Sequence, residues 1–113
     1  YEQIDFARPD EQLFEQLQNI PEAKVLPIVT TDAVYRQTFY KEQLWREKGA
    51  VAVDMETSAL WSVGKFLGLQ VASVLMISDR HPLREGDPTW EWKMTMEMRR
   101  RLFKRVMEIV FSA

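Results

Sequence analysis

Apolar positions along the chain change their spacing several times, and each change marks an element. Between Asp5 and Gln18 the pattern predicts a helix: Leu13, Leu17 and Ile20 fall at i, i+4 and i+7 as a narrow buried stripe, with Phe14 beside it. Pro9 suits its first turn, Asp10 and Glu11 bring negative charge to the positive end of the dipole, and Pro21 stops it. Lys24–Thr31 (KVLPIVTT) reads as a strand, and Pro27 inside it favours an edge position or a bulge. The segment Asp32–Lys48 is ambiguous at its start and helical from about Gln37, with Tyr40 and Leu44 four apart, Trp45 adjacent and Gly49 as a stop. Ala50–Val53 is a short apolar run that ends in Asp54 and Glu56 around Met55. Leu60, Val63, Phe66 and Leu67 then share one side of a helix, closed at Gly68 in a left-handed turn with Leu69 as the hydrophobic contact behind it. Val71–Ile77, rich in β-branched residues and ending in Ser78-Asp79, predicts a second strand. Arg80–Thr89 carries two prolines, a glycine and mixed charges and reads as a loop. A last helix covers about Trp90–Phe111, with Trp92, Met96, Phe103, Val106 and Val110 on one face and Leu102 and Ile109 flanking it.

The order α-β-α-β-α-β-α predicts an α/β fold: a three-layer arrangement of a sheet with at least three strands flanked by helices, in one domain over residues 1–113. Its centre is Ala50–Asp79, a strand-helix-strand stretch whose two strands should run parallel through a right-handed crossover. Ligands of such sheets sit beyond the carboxyl ends of the strands. Glu56 and Asp79 are delivered there, one from each predicted strand.

Composition narrows the function classes. A formal net charge of −2 over 113 residues argues against nucleic-acid binding. The cluster Arg99-Arg100-Arg101 with Lys104 and Arg105 spreads around a helix axis and reads as a solvated face. The absence of cysteine removes disulfide and thiolate chemistry and makes the cytoplasm the default setting. No apolar stretch approaches the ~20 residues of a membrane span, and no signal peptide is evident; the chain starts at Tyr1 rather than Met, as a fragment or a processed product would. Six Met and four Trp are a heavy apolar load for this length, part of which is expected at an interface. His81, the only histidine, is followed by Pro82 in the predicted loop and lacks the second histidine that would support a metal site or a Ser-His triad. No glycine-rich phosphate loop of either common type is present.

The run Val53-Asp54-Met55-Glu56-Thr57-Ser58-Ala59-Leu60, followed by Ala72-Ser73-Val74-Leu75 and Ser78-Asp79, resembles the nucleoside phosphorylase family. That family comprises purine nucleoside and uridine phosphorylases and the methylthioadenosine/S-adenosylhomocysteine nucleosidases. The Met-Glu pair, the helix and the Ser-Asp pair occur together, in order and at the family's spacing. The resemblance implies the second, C-terminal half of a phosphorylase/hydrolase-like fold with a βαβ core.

Nucleoside cleavage builds positive charge on ribose and negative charge on the departing base, so it needs groups that hold the sugar and an acid for the base. The resemblance implies that Glu56 accepts hydrogen bonds from ribose hydroxyls and that Met55 packs on the sugar. On the residues alone, Glu56 reads first as an acid favoured by the dipole at a helix N-terminus, and the whole pattern turns the reading to ribose. Asp79 matches the aspartate that donates a proton to purine N7, with Ser78 beside it, which tilts the implied substrate toward purine nucleosides; the plain alternative is a capping or loop aspartate. Related phosphorylases carry an arginine after this aspartate. Arg80, Arg84 and Lys93 lie in that stretch, none falls on the family position, and Arg84 is the candidate. The base-stacking aromatic of the family aligns, within Thr30-Thr31-Asp32-Ala33-Val34-Tyr35, with Val34, and Tyr35 is next to it. A valine offers less than an aromatic face, so this departure bears on base affinity.

The family's phosphate-binding glycine loop and arginines, and the water-activating glutamate of its nucleosidases, belong to an N-terminal half that has no counterpart here. The resemblance therefore implies no cofactor, phosphate as co-substrate in the parent enzyme, and an isolated chain that is inactive or nearly so. It also implies self-association into a homo-oligomer, because a divided sheet exposes edges and apolar faces. Two other readings stay open: a nucleosidase segment, and a non-catalytic oligomerising or ligand-binding module.

Overall fold

A computed structural model describes residues 6–88, 90–91 and 93–111. Its elements run α1 (Glu11–Leu17), β1 (Ile28–Thr30), a 3-10 turn (Val34–Arg36), α2 (Phe39–Glu47), β2 (Ala52–Asp54), α3 (Thr57–Phe66), β3 (Asp79–Arg80), β4 (Trp90–Glu91) and α4 (Met96–Phe111). Among the described residues this is a small α/β fold with four helices and a short parallel sheet.

Local chemistry explains most element ends. α1 starts later than the apolar pattern suggests because Asp10 caps it, its Oδ2 accepting from the Leu13 N–H at 2.9 Å. Pro9 therefore precedes the cap, and Asp5, the expected first residue, lies outside the described residues. α2 is capped by the Thr38 hydroxyl, which accepts from the Lys41 N–H at 3.2 Å, and it ends before Gly49. Gly49 and Gly68 have φ of +95° and +74°, the left-handed conformation that a helix stop calls for.

β1 is shorter than Lys24–Thr31 because Pro27, with no N–H, stands just outside the ladder. β1 and β2 pair in parallel with Ile28 opposite Ala52, Val29 opposite Val53 and Thr30 opposite Asp54. Backbone bonds from Val51 N–H to Pro27 C=O (3.0 Å) and from Thr31 N–H to Asp54 C=O (2.9 Å) extend the pairing at both ends.

The parallel unit is thus β1-α2-β2, and the one expected across Ala50–Asp79 does not close. Val71–Ile77 forms no ladder: among the described residues, the chain has two two-stranded sheets, β1-β2 and the antiparallel β3-β4. A β-branched run reports a preference for a pleated, half-buried surface, whereas a strand also needs a neighbour's backbone. The side chains nevertheless alternate. Val74 and Met76 are half-buried, Leu75 and Ile77 exposed, and the first two share an open cleft of about 300 Å³ with Leu102, Phe103 and Val106 of α4.

Two helix faces also differ from the expected ones. On α3 the inward positions are Thr57, Trp61 and Gly64, while Leu60, Val63 and Phe66 are exposed, as is Leu67 just beyond the helix. The reason is a close approach: a Cβ on Gly64 would lie 2.3 Å from Val71 Cγ2, and Trp61 Nε1 donates to Ser73 Oγ at 2.9 Å. Gly64→Ala is expected to lower stability by about 1 kcal/mol net, overpacking outweighing the gain in helix propensity. A thermal melt about 4 °C or more below wild type checks this. On α4 the half-buried positions are Met98, Leu102, Val106, Ile109 and Val110, whereas Met96 and Phe103 are exposed. The helix begins at Met96 rather than Trp90 because Trp90–Glu91 pairs with β3, and Trp92 lies outside the described residues. Thr95 caps it, accepting from the Met98 N–H at 3.2 Å. The buried apolar side chains among the described residues are Leu17, Ile20 and Trp45.

Candidate functional site

The parallel register of β1 and β2 decides what stands at the sheet's carboxyl end. Both strands end on the same side, so the chain leaving β1 (Thr31 to Tyr35) and the chain leaving β2 (Met55-Glu56) emerge together. Asp54 fastens this end. Its Oδ1 accepts from Thr30 Oγ1 at 2.8 Å, and its Oδ2 accepts from the Thr57 N–H at 3.2 Å and from the Thr57 hydroxyl. Thr30 Oγ1 in turn accepts from the Ser58 N–H at 3.0 Å. One carboxylate thereby joins both strands to the N-terminus of α3.

This assignment separates the two acids around Met55. Asp54 does the capping, although Glu56 occupies the cap position and makes no side-chain cap bond there. Glu56 is exposed, and Met55 is 42 % exposed. Both stand at the sheet's carboxyl end, open to a ligand. Val34 and Tyr35 lie in the 3-10 turn after β1 and are 65 % and 81 % exposed. These four positions share the end of the sheet.

Asp79 arrives by a different route from the expected one. It opens β3, opposite Glu91, instead of ending a strand parallel to β2. Ser78 Oγ donates to Asp79 Oδ1 at 2.6 Å, and His81 Nε2 lies 3.5 Å from Oδ2. The His81 ring reaches back across the fold, with Nδ1 3.2 Å from Glu42 Oε1 and 3.1 Å from the side-chain nitrogen of Gln37. Gln37 directly follows the Val34–Arg36 turn. The Ser78-Asp79 pair is therefore tied, through His81, to the segment that carries Val34 and Tyr35.

Arg84 is not brought in. It is exposed in a turn closed by the Asp87 N–H to Arg84 C=O bond of 3.2 Å, and it makes no hydrogen bond or ion pair with Asp79. Glu42, which the sequence did not single out, meets His81 here, which the sequence set aside for want of a second histidine. Glu42 is buried beside Trp45 on the inner side of α2, while Tyr40 of the expected apolar pair is exposed. An acid three residues before a core tryptophan was the available signal, since a buried carboxylate needs a partner.

Comparison with known proteins places the chain in a family. The family described as "Phosphorylase superfamily" matches residues 2–112. The chain belongs to that superfamily. Curated relatives include proteins named "Purine nucleoside phosphorylase DeoD-type". The one from Clostridium perfringens is 30 % identical over 90 residues, covering 80 % of this chain and 35 % of the relative. Those from Bacillus cereus and Exiguobacterium sibiricum are each 31 % identical, over 86 and 91 residues, covering 76 % and 80 % of this chain and 34 % and 36 % of the relative. The superfamily member described here thus spans about a third of the length of these relatives, 35 % of the first. No solved structure matches it. Among the described residues, no helix is long and apolar enough to cross a membrane.

Proposed function

We propose that this chain carries the ribose- and base-binding side of a purine nucleoside phosphorylase site. The parent reaction is a glycosyl transfer in which phosphate, as co-substrate, displaces a purine base and leaves ribose 1-phosphate. Glu56 accepts from the ribose hydroxyls, Met55 packs on the sugar, and Val34 and Tyr35 line the base. Asp79, held by Ser78, protonates the base. The observation that carries this reading is the parallel pairing of Thr30 with Asp54, which sends Val34-Tyr35 and Met55-Glu56 out at one sheet end.

Residues 1–113 act as one domain in this proposal, the C-terminal part of a three-layer phosphorylase-like fold, in a cytoplasmic homo-oligomer. The exposed apolar face of α3 and the neighbouring loop, Leu60, Val63, Phe66 and Leu67, supports self-association. Without a set of donors for a phosphate dianion, the chain by itself is inactive or nearly so. The same apolar face favours a second reading, an oligomerising or ligand-binding module that has kept the fold and lost the chemistry. A nucleosidase segment is the third, and phosphate dependence of base release by a longer parent protein separates it from the first.

The test is calorimetric titration with inosine. Wild type is expected to bind, and Glu56→Ala to bind about 10- to 100-fold more weakly, the effect of losing a charged hydrogen-bond acceptor. Absence of binding by either protein favours the module and removes the enzyme reading.

A further inference from the structure

The ring of His81 has a place in the structure that neither the family resemblance nor the reading above uses. It lies between two carboxylates from distant parts of the chain: Nδ1 is 3.2 Å from Glu42 Oε1, and Nε2 is 3.5 Å from Asp79 Oδ2. The two acids differ in setting, Glu42 being 10 % exposed at its side chain and Asp79 46 %. Ser78 Oγ occupies Asp79 Oδ1 at 2.6 Å, which leaves Oδ2 for the ring. The other groups at this cluster are the Gln37 amide, 3.1 Å from Nδ1, and Arg46 Nη1, 3.8 Å from Glu42 Oε2.

These pairings fix where the protons go. A carboxylate largely withdrawn from water needs a hydrogen-bond donor. Arg46 is beyond hydrogen-bond range, so Nδ1–H donates to Glu42. Gln37 Nε2, 3.1 Å from the same ring nitrogen, carries only N–H groups and is no acceptor for this proton, which leaves Glu42 Oε1 as its acceptor. A neutral ring with its proton on Nδ1 carries a bare lone pair at Nε2. Facing an ionised Oδ2 across 3.5 Å, that lone pair would be repelled; a proton between the two atoms removes the repulsion.

We infer that Glu42, His81 and Asp79 form a proton relay, in which Glu42 orients the ring through Nδ1 and Nε2 holds and returns the proton of Asp79. The destination of the proton rests on the purine reading. In that step the Oδ2–H bond breaks as N7–H forms, the electron pair of the glycosidic bond leaves with the base, and an oxygen of the co-substrate phosphate bonds to C1′ of the ribose. Asp79 remains as a carboxylate. Nε2 then takes a proton from water, which the half-exposed ring can reach, and hands it to Oδ2. His81 does not touch the base; it is a positioning residue that reloads the acid.

Because the chain has one histidine, the protein labelled with ¹⁵N-histidine gives a single ring spectrum. The expected wild-type spectrum has the proton on Nδ1, with Nε2 in the hydrogen-bonded range. Asp79→Asn, at a half-exposed position that the fold tolerates, is expected to move Nε2 and leave the Nδ1–H signal. Glu42→Ala is expected to release Nδ1 and give the mixed tautomers of an unrestrained ring. A merely structural histidine would not show this division between its two nitrogens. A wild-type ring with its proton on Nε2 and a bare Nδ1, or a ring that neither variant alters, overturns the relay. Inosine added to wild type is expected to shift Nε2. Inosine binding by calorimetry without the ring signature overturns the relay and keeps the purine reading; the ring signature without inosine binding supports the relay and overturns the purine reading.

Discussion

Trp45→Ala is expected to cost about 3–5 kcal/mol of folding free energy, the usual range for truncating a buried tryptophan. The side chain is 8 % exposed, and the only other apolar side chains buried to this degree among the described residues are Leu17 and Ile20. A domain of this size has about 5–15 kcal/mol in total, so the loss takes a large part of its stability. Trp45 also anchors the route into β2, since its carbonyl accepts from the Lys48 and Ala50 N–H groups at 3.1 and 3.0 Å. Urea unfolding followed by far-ultraviolet circular dichroism measures the change. A loss below about 1 kcal/mol would mean that Trp45 does not anchor the core.

Asp54→Ala is expected to cost about 3 kcal/mol, because it removes three hydrogen bonds to a carboxylate at once and leaves a buried donor behind. Thr57, which gives two of those bonds, is 4 % exposed, so its hydroxyl and N–H cannot turn to water. Asp54→Asn keeps an acceptor and is expected to lose about half as much. Glu56→Ala, two residues on, is expected to leave the urea midpoint nearly unchanged, as an exposed side chain without a cap bond should. This contrast separates the acid that holds the sheet end together from the acid proposed to hold ribose. Equal losses at both positions would erase the division of labour.

The local frame around Met55 and Glu56 was legible in the sequence because its motif is local. Met55 and Glu56 follow a strand that ends at Asp54, and Gly68 closes the helix after them, all within a span that short-range rules govern. The errors share one cause. Val71–Ile77 carries the composition of a strand, but a ladder depends on whether another segment's backbone lies alongside. The stripe Leu60, Val63, Phe66 and Leu67 has helical spacing, yet Gly64 against Val71 turned the opposite side of α3 inward. Periodicity reveals that a face is apolar; contact decides whether it is covered.

The sequence by itself determined the glycine stops at Gly49 and Gly68, the order of the elements from α1 to α3 and the family, since each rests on residues a few positions apart or on a motif read in order. The tertiary structure alone decided that β1 rather than Val71–Ile77 pairs with β2, that Asp79 enters from an antiparallel strand, and that His81 stands between Glu42 and Asp79. Those outcomes join segments 12 to 39 residues apart, from Asp79 and Glu91 to Glu42 and His81. They depend on backbone partners and charge pairings that no local pattern encodes.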